Sequence, residues 1–217
     1  MSETTPSDYY PIMMRLQGKR CLIVGGGPVA ERKLEGLLAA AADDIVLVSP
    51  DATTEIEKLA AAGRLRWERR RYREEDLAGA WLVFAATGDK ELNASIGRLA
   101  ECSGRLTNVA HESELGSFIT PSILRRGELL MTVTASGNSP SFSRLLRKEL
   151  EEHYGDEYGR AVERLGQLRE LALEQLADGK LRRAVLEQAA GEALAGGNEH
   201  NDIQQWLNEL ADKIRGR

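Results

Sequence analysis

The chain has 217 residues, 42% of them hydrophobic and 29% charged, with two cysteines and a formal net charge of −5. This composition suits a globular protein of one large domain, or of one ordinary domain plus a smaller appendage. No run approaches the roughly 18 apolar residues of a membrane span, no signal-peptide pattern opens the chain, and Cys21 and Cys102 lack Cys-x-x-Cys spacing. They read as reduced packing thiols of a cytoplasmic protein.

The charge is uneven. Residues 1–150 carry 20 Lys and Arg against 20 Asp and Glu, whereas residues 151–217 carry 9 against 14. Within residues 116–150 the balance turns to 5 basic against 2 acidic. A locally basic segment in an acidic protein fits a small anionic ligand better than nucleic acid, with a plain solvated surface as the alternative.

In chain order, Gln17-Gly18-Lys19 is a turn signal, and the apolar run 21–24 is expected to be a strand buried on both faces. Gly25-Gly26-Gly27-Pro28-Val29-Ala30 follows, with Gly25, Gly27 and Ala30 in G-x-G-x-x-A spacing. Gly25 permits a tight turn, Gly27 lets a diphosphate approach the backbone, and Ala30 allows close packing of helix on strand. Pro28 suits the first turn of the helix that opens here, whose free N–H groups face the anion. The helix ends near Ala42, and residues 45–48 form a second buried strand that ends in Ser49-Pro50-Asp51. Asp51 is the candidate partner for the ribose hydroxyls. No arginine adjoins it in sequence to hold a 2′-phosphate, so NAD is favoured over NADP.

A second helix is expected over residues 53–62 and a more exposed strand around Leu65 and Trp67. Arg69, Arg70, Arg71 and Arg73 have Glu68, Glu74, Glu75 and Asp76 beside them, so ion pairs explain them better than nucleic acid does. Residues 81–86 form another apolar strand, followed by Thr87 and a helix from about 91 to 102. Residues 106–110 form a further strand. Strand ends at one sheet edge line a ligand crevice, which gathers residues 25–29, 49–51, 85–88 and 108–111 around one cleft. Residues 117–120 and 129–134 look like a separate antiparallel element. Ser139 caps a helix with Pro140 at its first position, and everything beyond Gly155 looks helical, interrupted by a Gly-rich break at 191–197.

These stretches together resemble the precorrin-2 dehydrogenase/sirohydrochlorin ferrochelatase family, which also occurs as the N-terminal module of siroheme synthases. The resemblance rests on Tyr10-Pro11, residues 21–33, Ala85-Ala86-Thr87, Asn108-Val109, residues 117–122, Gly137-Asn138-Ser139-Pro140 and residues 144–147. It implies an α/β fold: a Rossmann-like parallel sheet over residues 1–115, a strand-containing homodimerisation segment at 116–150, and a helical domain at 151–217. It also implies NAD-dependent oxidation of precorrin-2 to sirohydrochlorin on the way to siroheme. Some relatives also insert iron, which would then be substrate rather than resident metal, and no metal-ligand motif is visible. The cofactor is expected on Gly25, Gly26, Gly27, Pro28, Val29, Ser49, Pro50, Asp51, Ala86 and Thr87. The substrate, which bears eight carboxylates, is expected on Asn108, Ser117, Arg125, Arg126, Ser136, Asn138, Ser139 and Arg144.

Two positions depart from the family pattern. His111 stands where relatives often carry an aspartate assigned to both chemistries, and Ala135 stands where some carry a modifiable serine. An imidazole can accept a proton at neutral pH, so His111 is the candidate catalytic base. Iron insertion stays open. The alternative function is a non-catalytic NAD(H) sensor with a helical partner-binding tail, for which the basic segment has no evident use.

Overall fold

A computed structural model describes residues 9–196 and 202–216. The chain divides into two units, residues 1–120 and 121–217.

The first unit is built on strands β1 (Arg20–Val24), β2 (Asp44–Val48), β3 (Arg66–Glu68), β4 (Leu82–Ala85) and β5 (Leu106–Val109). All pairings are parallel, in the order β3-β2-β1-β4-β5. Strands β1 and β2 beyond their first residue, and β4 throughout, are apolar because both sheet faces are covered there, whereas the edge strand β3 is Arg-Trp-Glu. Cys21, Ile23, Leu47 and Phe84 pack with Ala30, Leu34 and Ile56. Those residues come from helices α1 (Pro28–Ala39) and α2 (Thr54–Ala61). Leu22, Val24, Val46, Val83 and Ala85 point to the other face. There they meet Ile96 and Ala100 of α3 (Lys90–Cys102). Successive strand residues alternate between the two cores, as the pleat requires.

Residues 116–120, grouped on sequence with the following segment, run along β5. The Ser117 amide donates to the Thr107 carbonyl (2.8 Å), and the Thr107 amide donates to Ser117 Oγ (2.8 Å). A Cβ on Gly116 would lie 2.8 Å from the Thr107 carbonyl oxygen, so only glycine allows this approach.

In the second unit the hairpin strands are β6 (Ser122–Arg126) and β7 (Leu129–Val133), which pair antiparallel. The extended residues 117–120 are therefore not a hairpin strand. Their S-F-I-T alternation is satisfied at the edge of β5, and Gly127 (φ +54°) makes the tight turn. Helix α4 (Pro140–His153) starts at the Ser139 cap, whose Oγ accepts from the Phe142 amide (3.3 Å). Three helices follow, α5 (Asp156–Gln175), α6 (Gly179–Leu194) and α7 (Ile203–Arg215). They bury Leu168, Ala172, Leu176, Val185, Trp206, Leu207 and Leu210 together. Helix α6 runs through Gly191, so the expected break starts only at Ala195, and residues 197–201 lie outside the described residues. Among the described residues no helix is long and apolar enough to cross a membrane.

Candidate functional site

The chain runs outward from β1 to β2 and β3, then returns to β4 on the other side of β1. Ligands of open α/β sheets bind outside the strand C-termini at such a reversal. The loop from β1 to α1 stands at this point, and its three glycines are held by three different constraints.

Gly25 has φ +120°, and a Cβ there would lie 2.3 Å from the Ala86 carbonyl oxygen, so the turn after β1 touches the end of β4. Gly26 is pressed against the β2–α2 loop: its Cβ would lie 2.0 Å from the Asp51 carbonyl oxygen, and its own carbonyl accepts from the Thr53 amide (2.9 Å). The sequence motif places no demand on Gly26, and only tertiary packing reveals one. Gly27 differs from both. Its φ of −85° suits any residue, and a Cβ there would meet nothing within 4 Å. Nothing among the described residues requires glycine at this position, whereas a ligand lying on the backbone would.

Helix α1 begins just beyond. The Glu31 amide makes the first intrahelical bond, to the Gly27 carbonyl (3.0 Å), so the amides of Gly27, Val29 and Ala30 lack intrahelical acceptors, and Pro28 has no N–H. Ala30 is fully buried under the helix, where a larger side chain would push α1 off the sheet. These features fit the diphosphate of a dinucleotide.

Other expected residues flank this loop. The Ser49 amide donates to the Glu68 carbonyl (3.2 Å), and the Ser49 carbonyl accepts from Trp67 Nε1 (3.0 Å), while Pro50 and Asp51 are exposed. The Ala86 amide extends the ladder by donating to Val24 (2.8 Å). Thr87 is fixed by Asn93 of α3, a residue not marked out by the sequence and only 2% exposed. Asn93 Oδ1 accepts from the Thr87 amide (3.0 Å) and hydroxyl (2.7 Å), and its Nδ2 donates to the Thr87 carbonyl (3.0 Å).

The sequence offers no arginine beside Asp51, but Arg69 stands just past the end of β3, next to Glu68, which pairs with Val48 at the end of β2. Arg69 Cζ stacks 4.3 Å from the centroid of the Trp67 ring, and its guanidinium pairs with Glu57 of α2 (2.8 Å). The neighbouring Arg70 makes the expected pair with Asp76 (2.6 Å), and that hydrogen bond holds the Asp76 carboxyl below its usual range.

At the other side of the cleft the Ala110 amide donates to Ala85 (2.9 Å), and His111 follows, exposed, at φ +67°. The left-handed region is tolerated by His, Asn and Asp better than by most side chains. Histidine and the aspartate of relatives therefore both suit this backbone. Asn108 and Ser117 are engaged in the fold. Asn108 Nδ2 donates to the Phe118 carbonyl (3.0 Å), and Ser117 Oγ accepts from Thr107.

The remaining expected substrate residues lie in the second unit. Arg126 caps the end of α4, donating from Nε to the Tyr154 carbonyl (2.9 Å) and from Nη2 to the Glu151 carbonyl (3.4 Å). It also pairs with Asp156 (3.4 Å). Arg125 is exposed on β6. Arg144 is exposed on α4 and donates to Ser141 Oγ (3.2 Å). Ser136 adopts φ +51°, the Asn138 amide donates to the Ala135 carbonyl (2.9 Å), and Ser139 is the α4 cap. Among the described residues no three His, Cys, Asp or Glu side chains gather to hold a metal ion.

Comparison with known proteins follows the same lines. Residues 12–122, just over half the chain, match the family described as putative NAD(P)-binding. Siroheme synthase 3 of Aeromonas hydrophila subsp. hydrophila is 36% identical over 212 residues, which cover 95% of this chain and 44% of that protein. Siroheme synthase 2 of Aeromonas salmonicida is 40% identical over 212 residues, covering 96% and 44%. The chain thus spans less than half the length of these relatives. Among solved structures, SirC, precorrin-2 dehydrogenase, matches with a TM-score of 0.76 at 25% identity, covering 94% of this chain and 100% of that one.

Proposed function

The chain belongs to the putative NAD(P)-binding family, and from that membership we propose that it is an NAD-dependent dehydrogenase that oxidises precorrin-2 to sirohydrochlorin. The observation that carries the reading is the match to a precorrin-2 dehydrogenase over the whole of that protein's length, helical portion included. A shared Rossmann sheet alone would support any dinucleotide enzyme.

In this reading the amides of Gly27, Val29 and Ala30 hold the diphosphate. Asp51 binds the ribose hydroxyls, and Ala86 and Thr87, fixed by Asn93, border the nicotinamide half. When bound, the nicotinamide supplies the hydride acceptor. The substrate gives up a hydride and a proton, and His111 accepts the proton. Arg125 and Arg144 meet substrate carboxylates, whereas Arg126 is engaged in capping α4. The dimerisation role assigned to residues 116–150 is supported by Ile123, Phe142 and Leu145, which are 43%, 56% and 66% exposed. A two-stranded hairpin is marginal alone, so a homodimer that covers these side chains is expected, and a monomer in sedimentation at micromolar concentration would remove this part. The cytoplasm suits the reading, because it supplies NAD⁺ and keeps Cys21 and Cys102 as thiols.

The test is anaerobic turnover of precorrin-2 with NAD⁺, followed by absorbance. Sirohydrochlorin formed catalytically supports the enzyme. Binding of NAD without turnover would favour the sensor instead.

A further inference from the structure

We propose that the Glu57–Arg69 ion pair sets the choice between NAD and NADP, with Glu57 engaging a guanidinium placed to receive a 2′-phosphate. The inference rests on the reading of the glycine loop as the dinucleotide site. The contacts form a continuous chain that starts at that loop. The Gly26 carbonyl accepts from the Thr53 amide (2.9 Å), which fixes the segment 49–53 against the glycines. The Ser49 carbonyl, at the other end of the segment, accepts from Trp67 Nε1 (3.0 Å). Arg69 lies on the Trp67 ring at 4.3 Å and reaches Glu57, on α2, at 2.8 Å. The segment carrying Asp51 is therefore tied to the glycine loop at Thr53 and, at Ser49, to the Trp67 indole on which Arg69 lies.

Selectivity in such folds is decided where the second strand ends: a carboxylate there takes the ribose hydroxyls, and a nearby arginine accommodates the 2′-phosphate. This chain has both kinds of group. The guanidinium is stacked on an indole and aimed at a carboxylate, and its side chain is 65% exposed while that of Glu57 is 46% exposed. An exposed pair of this kind adds little to the stability of the fold. Its effect on a ligand is larger. Glu57 neutralises Arg69 and sets a negative charge where a phosphate would approach. A unit charge roughly 6 Å from another changes binding by about threefold in bulk water and about 100-fold at an effective dielectric of about 20, so about tenfold is expected for these half-exposed groups.

The test is calorimetric titration of the full chain with NAD⁺ and with NADP⁺, for the wild type, Glu57→Gln and Glu57→Gln/Arg69→Gln, with thermal melts to establish folding. The readout is the ratio of the NADP⁺ to the NAD⁺ dissociation constant. The wild type is expected to favour NAD⁺. In Glu57→Gln the ratio falls about tenfold, and in the double variant it returns to the wild-type value or above. A folded Glu57→Gln protein that binds NAD⁺ with an unchanged ratio overturns the proposal. So does a wild type that binds both cofactors equally. A fall that persists in the double variant removes Arg69 from the account. Failure of the wild type to bind either cofactor refutes the underlying dinucleotide site instead.

Discussion

Asn93 is the residue through which α3 controls the β4–α3 loop. Replacing it with leucine keeps the branched shape in an apolar, somewhat bulkier side chain at a position only 2% exposed. The replacement removes both accepting bonds and the donating bond to Thr87. The Thr87 hydroxyl keeps an alternative acceptor in the Asp89 carbonyl (3.0 Å), so the lasting losses are the partners of the Thr87 amide and carbonyl. A buried group left unsatisfied costs about 1–3 kcal/mol. Thr87 is partly reached by water, so about 2–4 kcal/mol is expected for the pair. Urea unfolding at a fixed m-value measures this loss, and NAD titration of the folded protein should show weaker binding because the loop bordering the cleft is released. Asn93→Asp keeps the acceptors but sets a carboxylate oxygen against the Thr87 carbonyl, so it should be no milder. A loss below about 1 kcal/mol in Asn93→Leu, or a neutral Asn93→Asp, would refute the assigned bonding.

Gly26→Ala should destabilise the protein severely, since its Cβ would lie 2.0 Å from the Asp51 carbonyl oxygen. Gly27→Val should fold normally and lose NAD binding, and calorimetry on both separates packing from ligand approach. Burial, assisted by neighbouring Arg32, pushes Lys33 down to about 8 from 10.5, while its Nζ donates to Thr120 Oγ1 (2.7 Å). The folded state therefore releases this proton before the unfolded state does, and stability rises with pH above 8. Burial raises Cys21 from 9.0 to about 11, so its opposite slope cancels the rise between about pH 9 and 10.5, and stability falls only above that. The Lys33 rise, about 1 kcal/mol, should thus be seen between pH 8 and 9, and urea midpoints should lose it in Lys33→Met. His111→Asn keeps a side chain suited to φ +67° and removes the base. It should retain NAD affinity and lose turnover by about 10²–10⁴-fold, and near wild-type turnover would exclude His111 as the base.

The sheet was legible in the sequence because a strand covered on both faces must be apolar throughout, and residues 21–24, 45–48 and 82–85 advertise that. Ser139-Pro140 marked the start of α4 through local capping chemistry alone. What stayed hidden depends on partners distant in sequence. Residues 117–120 alternate like a strand, and only their bonds to Thr107 reveal that they edge β5. Asn93 looks like any polar helix residue until its burial is known. Arg126 looks free for a carboxylate but is engaged by carbonyls 25 and 28 residues away. Arg69 finds its carboxylate on α2, twelve positions back, rather than among the acids beside it. Local chemistry was readable, and the assignment of each charged group to fold or ligand was not.

The most direct measurement is a single turnover: enzyme in excess over precorrin-2, anaerobic, with NAD⁺ saturating, and both NADH and sirohydrochlorin quantified at completion. Transfer of one hydride per substrate predicts equal amounts of the two products, formed with the same time course, and none of either with Gly27→Val. Sirohydrochlorin appearing without NADH, or no reaction from a protein that binds NAD⁺, would contradict the dehydrogenase assignment.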